Sequence, residues 1–241
     1  SISFFDKYMV YQEDIYVGYR YYETRFFDAQ NGDKGALSTT GTYHSTSNWK
    51  YDEEVAFPFG YGLSYSKFSY GNYNVTEKDD SYEVACEVKN IGSVPSKQVI
   101  QAYLSKPYTE YDQENEIEKP AIELVGYTKT KELQPGESQE VTITIPKEEF
   151  KNFDSNGRGT YIVEGGDYYL TLATDSHEAT NNVLEAKGFA REDGKVLGDE
   201  EKPQGIDFTY KITKERDYKT YAHSTETGAK VECRLDDGDI N

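Results

Sequence analysis

Tyr82-Glu83-Val84-Ala85-Cys86-Glu87-Val88-Lys89 is the stretch that decides the fold. Tyr82, Val84, Cys86 and Val88 alternate with more polar neighbours, the period-two signature of a strand with one buried face. Asn90-Ile91-Gly92 then supplies a turn. Downstream, Gln98 to Leu104 is apolar on both sides, with Val99 and Tyr103 opposing Ile100, Ala102 and Leu104, so it reads as a central strand. Ile122 to Thr128 is another strand candidate. Leu133-Gln134-Pro135-Gly136 is a turn, with proline set for one corner and glycine for the next. Val141, Ile143 and Ile145 alternate again, as do Tyr168, Leu170 and Leu172 after Gly165-Gly166. Upstream, Phe68 and Tyr70 are out of phase with Tyr73 and Val75, which predicts a bulge near Gly71. About seven short strands with regularly spaced turns predict a mainly β, immunoglobulin-like antiparallel sandwich.

The chain has 241 residues, enough for one large domain or two modest ones without covalent staples. Its 23 tyrosines supply large rings that keep a wet hydroxyl, which offsets a hydrophobic fraction of 36%. A formal net charge of −18 repels phosphate backbones and anionic lipid, so neither nucleic acid nor a membrane is an expected partner. No span is apolar enough for a membrane helix. Of the two cysteines, Cys86 falls on the core-facing side of its strand and reads as a buried free thiol. A bridge to Cys233 stays open, because sequence does not fix proximity.

Residues 1–66 show no sustained helical period. Ile15-Tyr16-Val17 reads as a short strand ended by Gly18, Tyr21-Tyr22 as its extended continuation, and Asp28 to Ser47 as loop. This piece holds too little apolar surface to fold alone and is expected to lie against a neighbouring domain. Phe57-Pro58-Phe59-Gly60-Tyr61-Gly62-Leu63-Ser64-Tyr65 reads as a sharp turn between extended pieces: Phe57 precedes proline, and the glycines allow positive φ. Residues 179–241 read as a polar, acidic tail with a short helix near Ala179–Ala186 and a strand near Phe208–Thr213.

The segment Gly18-Tyr19-Arg20-Tyr21-Tyr22, followed by the Phe57–Tyr65 run, resembles the end of the α/β sandwich domain of family 3 glycoside hydrolases, β-glucosidase type. Glu123-Leu124-Val125-Gly126-Tyr127 with Leu133-Gln134-Pro135-Gly136-Glu137-Ser138 resembles the signature of the fibronectin type III-like domain that follows it there. The resemblance covers roughly residues 13–174. It implies three regions: an irregular remnant of the α/β domain (1–66), a fibronectin type III-like domain (67–178) and a polar tail (179–241). The tail resembles either the connector of circularly permuted members, leading to a barrel domain, or a C-terminal extension. The implied parent reaction is retaining hydrolysis of terminal β-linked glucose or xylose, with the catalytic barrel domain of the same enzyme as partner. The compartment stays open between bacterial cytoplasm and secretion. A free-standing glycan-binding or adhesion module is the rival reading.

No catalytic residue carries over. The family's nucleophile sits in a Ser/Thr-Asp-Trp motif, whereas the single tryptophan here, Trp49, follows Ser47-Asn48. An autonomous hydrolase would need an unrecognised carboxylate pair. His44, His177 and His223 lie in polar stretches and read as surface side chains, and no Gly-x-Ser-x-Gly elbow is present. No cysteine–histidine zinc spacing or phosphate-binding glycine loop occurs, and no metal or cofactor is expected. The acidic turns Asp28–Asp33, Asp154–Gly157 and Asp236–Asp239 lack the spacing of a calcium loop. The acidic run Glu110, Asp112, Glu114, Glu116 and Glu118 reads as a solvated loop able to border a cleft. Tyr43, His44, Trp49 and Tyr51 form the candidate sugar-stacking set, the competing reading being that they pack against the sandwich.

Overall fold

The structure is a computed structural model that describes residues 15–31, 50–189 and 205–232. In chain order the elements are α1 (Tyr19–Asn31), α2 (Tyr51–Glu54), β1 (Phe68–Glu77), β2 (Ser81–Asn90), β3 (Val99–Ser105), α3 (Glu110–Glu114), β4 (Glu123–Lys129) and β5 (Ser138–Pro146). A 3₁₀ turn (Lys147–Phe150), β6 (Asn152–Asp154), β7 (Thr160–Ile162), β8 (Gly166–Ala173), α4 (Ser176–Ala186) and β9 (Thr209–Lys214) follow. One sheet has the order β1-β2-β5 and the other β4-β3-β8-β9, all pairs antiparallel; β6 and β7 form a small ribbon.

The alternation in β2 does what its spacing predicts. Tyr82, Val84, Cys86 and Val88 are buried and face Ile100, Ala102 and Leu104 of β3 and Tyr168, Leu170 and Leu172 of β8 across the sandwich. Each such aliphatic side chain contributes roughly 1.5–3 kcal/mol of burial. Gly126 of β4 lets the sheets approach: a Cβ there would stand 2.7 Å from Ile143 Cγ2. The bulge falls at Gly71–Asn74, where Asn72 takes φ +52°. Burial of Cys86 pushes its thiol up to about 11. Cys233 lies outside the described residues.

β3 is buried on both sides for a reason the sequence leaves open. Its second face, with Tyr103, meets Ala173, Ala179, Val183 and Leu184 around α4, capped by Phe26 and Phe27 of α1. The helices therefore close the outer face of the four-stranded sheet. Tyr21-Tyr22 is accordingly helical, not extended, and α1 runs through Asp28 to Asn31, where a loop is expected; residues 32–47 of that expected loop lie outside the described residues. Tyr19, Tyr22, Phe26 and Phe27 are spaced at i, i+3, i+7 and i+8, a helical stripe written in aromatic residues that favour strands.

Within the region after residue 178, the expected strand near Phe208–Thr213 forms and joins the sandwich. Asp175 caps α4 by accepting from Glu178 N at 2.8 Å. Ile206 N then donates to Glu178 Oε1 (2.7 Å), and Asn182 Nδ2 donates to Ile206 O (2.7 Å). Held at that point, the chain runs on as β9 along the open edge of β8. Burial is the main cause that raises the Glu178 carboxyl above the ordinary range.

Asn90, fully buried at the end of β2, joins three turns. Its Oδ1 accepts from Ser66 Oγ (2.5 Å) and Gly92 N (2.9 Å), while Nδ2 donates to Val94 O (2.9 Å) and Leu133 O (2.8 Å). Asn90→Ala strands these buried groups and should lower unfolding free energy by about 2–3 kcal/mol in a denaturant titration; a loss under 0.5 kcal/mol would show that the turns hold without it.

The folded protein prefers the neutral Cys86 thiol. Its stabilising contribution is complete below the ordinary thiol value of 9.0 and fades as pH climbs toward 11. In a Cys233→Ser chain at pH 8, Cys86 should react with a disulfide reagent at least ~100-fold more slowly than in denaturant. Equal rates would place the thiol at the surface.

Candidate functional site

The N-terminal helices and the Phe57–Tyr65 run meet the sandwich around one carboxylate. Glu23, on the inner face of α1, is 1% exposed. Its Oε1 accepts from Tyr51 Oη (2.6 Å) and Ser176 Oγ (3.0 Å). Thr180 Oγ1 (2.8 Å) and His177 Nδ1 (3.1 Å) contact Oε2. These partners come from α2 and from the first turns of α4, so one side chain ties three helices together. Tyr51 stacks on His177 with ring centroids 3.9 Å apart, and Phe26 closes the other approach at 4.5 Å. Burial first, then the Glu23 charge, holds the Tyr51 hydroxyl well above its ordinary value. His177 is thus buried, correcting its expected surface position. The helical period that brings it inward is hidden in the polar string Ser176-His177-Glu178-Ala179-Thr180.

The Phe57–Tyr65 run folds as its composition predicts. Tyr61 N donates to Pro58 O (3.1 Å) to close a β-turn, with Gly60 at φ +88° in the position that demands a positive angle. Gly60 also lies against Gln101, whose side chain a Cβ would meet at 2.4 Å. Phe59 O accepts from Ser176 N (2.9 Å), and the Phe59 ring stacks on Tyr19 at 4.8 Å. Tyr19 Oη accepts in turn from Leu124 N (2.9 Å), and Thr24 Oγ1 from Ala121 N (2.8 Å). The turn is thus pinned to α1, to Gln101 of β3 and to the start of α4, and α1 in turn to the start of β4.

Between α1, α2 and this turn opens a cavity of about 420 Å³, walled by Tyr19, Tyr22, Tyr51, Val55, Phe57 and Phe59. Its rim is apolar and wet: Val17, Phe57 and Phe59 are exposed, and the same run continues into Leu63 (90% exposed) and Tyr65 (99%). Large apolar side chains left exposed along one run mark it as an interaction segment. Glu23 borders the cavity, but its oxygens are occupied by the four groups named above.

Of the candidate sugar-stacking set, Tyr51 is the one described; it is 4% exposed with its hydroxyl bonded to Glu23. Tyr43, His44 and Trp49 lie outside the described residues, as do the Asp33 and Asp236–Asp239 ends of the acidic turns. Asp154 serves its own turn, accepting from Gly157 N (2.7 Å), Arg158 N (2.9 Å) and Tyr111 Oη (2.6 Å). Among the described residues no group of three or more histidine, cysteine, aspartate or glutamate side chains gathers as a metal site.

The acidic run departs from a solvated loop in its short helix and at Asp112, while Glu110, Glu114 and Glu116 stay exposed. Residues 110–114 form α3, with Thr109 and Asp112 in a reciprocal capping box. Asp112 is fully buried and paired to Lys119 Nζ at 2.7 Å; burial pulls the Lys119 ammonium below its ordinary value. Glu164 is also buried, and its Oε2 and Asp112 Oδ2 each lie 3.1 Å from Thr109 Oγ1. Two carboxyl groups that share one hydroxyl invite comparison with the pair of a retaining glycosidase, which stand roughly 5 Å apart. Both are sealed from solvent and bonded to Lys119 or Tyr218, so no glycosidic oxygen can reach them.

The family model of a fibronectin type III-like domain matches residues 98–176. Over 206 residues the chain is 35% identical to β-glucosidase A of Butyrivibrio fibrisolvens, covering 74% of this chain and 21% of that protein. It resembles the structure of β-glucosidase 3B from Thermotoga neapolitana in complex with glucose, at 27% identity and a TM-score of 0.56, covering 87% of this chain and 21% of that one. The Kluyveromyces marxianus β-glucosidase in complex with glucose gives 31% identity and a TM-score of 0.52, covering 69% and 16%. The chain therefore spans about a fifth of the length of the relatives it matches.

Glu23→Ala removes the carboxylate that unites α1, α2 and α4. It should cost about 3 kcal/mol and raise amide exchange over residues 19–31 and 51–54 while β2 and β8 keep their protection. Uniform loss of protection would mean that the helices and the sandwich unfold as one unit.

Proposed function

This chain corresponds to the C-terminal region of a family 3 glycoside hydrolase of the β-glucosidase type, and we propose that it is the non-catalytic brace of such an enzyme. The observation that carries the reading is the exposure of large apolar side chains, Phe57 and Phe59 beside the aromatic cavity and Val17, Leu63 and Tyr65 in the chain that flanks it. A face of this composition gains stability when covered, at about 25 cal/mol per Å² of apolar surface. Its occupant is the remainder of the enzyme, including the catalytic barrel domain. The turn that presents it is rigid: Gly60 is fixed against Gln101, Phe59 O is held by Ser176 N, and α1 is clamped through Glu23.

The hydrolytic step belongs to the missing part. The buried Asp112 and Glu164 pair is structural, and Glu23 is saturated by donors. Cleavage of terminal β-linked glucose or xylose with retention is what the resemblance implies for the whole enzyme. In that reaction this chain holds the catalytic domains in position and lends no acid, base or nucleophile.

The purified chain should release no aryl group from an aryl β-glucoside above the uncatalysed rate, and turnover that survives repurification would overturn the assignment. Mixed with the separately expressed remainder of a family 3 enzyme, it should form a complex. The triple variant Phe57→Ser, Leu63→Ser, Tyr65→Ser should weaken that complex at least ~100-fold; unchanged affinity would move the contact to another face.

A further inference from the structure

A second recess, of about 220 Å³, lies between the 3₁₀ turn, β7 and the loop that follows β9. One wall of it, residues 221–231, falls beyond the segment matched by the fibronectin type III-like model. That loop is closely organised. Val231 N donates to Ala222 O (3.0 Å), Ser224 N to Ala229 O (2.8 Å) and Gly228 N to Ser224 O (2.9 Å), with Gly228 at φ +68°. Ser224 Oγ accepts from Glu226 N and Thr227 N. Tyr221 alone of this loop packs against the sandwich core, while His223, Thr225 and Glu226 stay exposed. Backbone order is therefore spent on presenting polar side chains to the recess rather than on burial.

The facing wall carries an oriented charge pair. Lys151 Nζ lies 2.9 Å from Glu148 Oε2. The same ammonium sits 4.8 Å from the Tyr161 ring centroid and 5.5 Å from that of Tyr221. A donor and an acceptor side by side at hydrogen-bond distance match two neighbouring hydroxyls of a sugar ring, each of which both donates and accepts. Glu148 and Glu226 offset Lys151, so an anion gains nothing here. Glu148 already has the Lys151 ammonium at 2.9 Å, which disfavours a second cation. The volume is below that of drug-sized pockets, roughly 300–1,000 Å³, and suits one ring rather than an oligomer.

We propose that this recess binds a single neutral pyranose unit. Lys151 donates to one hydroxyl, Glu148 and Glu226 accept from its neighbours, and the Tyr161 and Tyr221 rings border the apolar C–H edge. The inference is independent of the bracing role, since it uses neither the aromatic cavity nor the Phe57–Tyr65 run. Failure of either leaves the other standing.

The test is an amide-resolved NMR titration of the full chain with methyl β-D-glucopyranoside, with glucuronate as the charged comparison. The expected result is saturable shifts confined to residues 148–151, 161 and 221–231, with a Kd on the order of 1–10 mM, and weaker binding of glucuronate. Lys151→Met keeps the aliphatic stem over the rings, and Glu226→Gln changes an exposed side chain. Each should weaken binding at least fivefold with the spectrum otherwise native. Absence of saturable shifts up to ~50 mM would overturn the proposal. So would shifts that neither variant alters, or shifts centred on residues 19–23 and 51–59.

Discussion

The architecture turns on one buried carboxylate. Glu23 has almost no contact with water, and a charge in that position is tolerable only when several donors surround it. Tyr51, Ser176, Thr180 and His177 provide them from two other helices. Because those donors are distributed, satisfying the charge also fixes where α1 and α2 sit. The orientation of α1 places Tyr19 under Phe59, and so sets the attitude of the exposed turn. A hydrocarbon contact of equal area would hold the helices with less directional demand, since apolar burial is non-directional.

The sandwich and its helical cover solve complementary problems. β3 and β8 carry buried side chains on both faces, which a two-sheet sandwich alone would leave half exposed. α4, inserted between β8 and β9, covers the outer face, and α1 covers α4. The two clusters share β3 and β8, whose alternate side chains point into one or the other. A disturbance on the N-terminal side is thus transmitted to the sheet through Tyr103 and Ala173 rather than through the interior of the sandwich. The exposed motif and the fold beneath it are mechanically joined.

Much of this was legible in the sequence. The strands announced themselves through Tyr82, Val84, Cys86 and Val88 and through Val141, Ile143 and Ile145, because period two is unambiguous when one face is wet. The doubly apolar β3 and the Gly71 bulge were readable for the same reason. α1 was not: tyrosine and phenylalanine favour strands, and the helix forms because Glu23, Phe26 and Phe27 find partners on α4, more than 150 residues away for the Glu23 donors Ser176 and Thr180. β9 was visible as a strand, but nothing local says that Glu178 and Asn182 will hold Ile206 and steer it onto β8. The acidic run misled in the opposite direction. Its charge pattern reads as solvent-facing, yet Asp112 turns inward to Lys119, a pairing that charge spacing alone does not reveal.

A surface as apolar as Leu63 and Tyr65 on a chain of net charge −18 is informative by contrast, since the rest of the exterior is built to stay in water. The bracing account requires that surface to be covered when the chain is part of a longer enzyme. Hydroxyl-radical footprinting of this chain alone, and of a full-length family 3 enzyme containing it, measures this directly. The account predicts that Phe57, Leu63 and Tyr65 are oxidised readily in the isolated chain and protected in the long polypeptide, while Tyr127 of β4, which is exposed but outside this run, is equally oxidised in both. Equal oxidation of Leu63 and Tyr65 in the two proteins would contradict it.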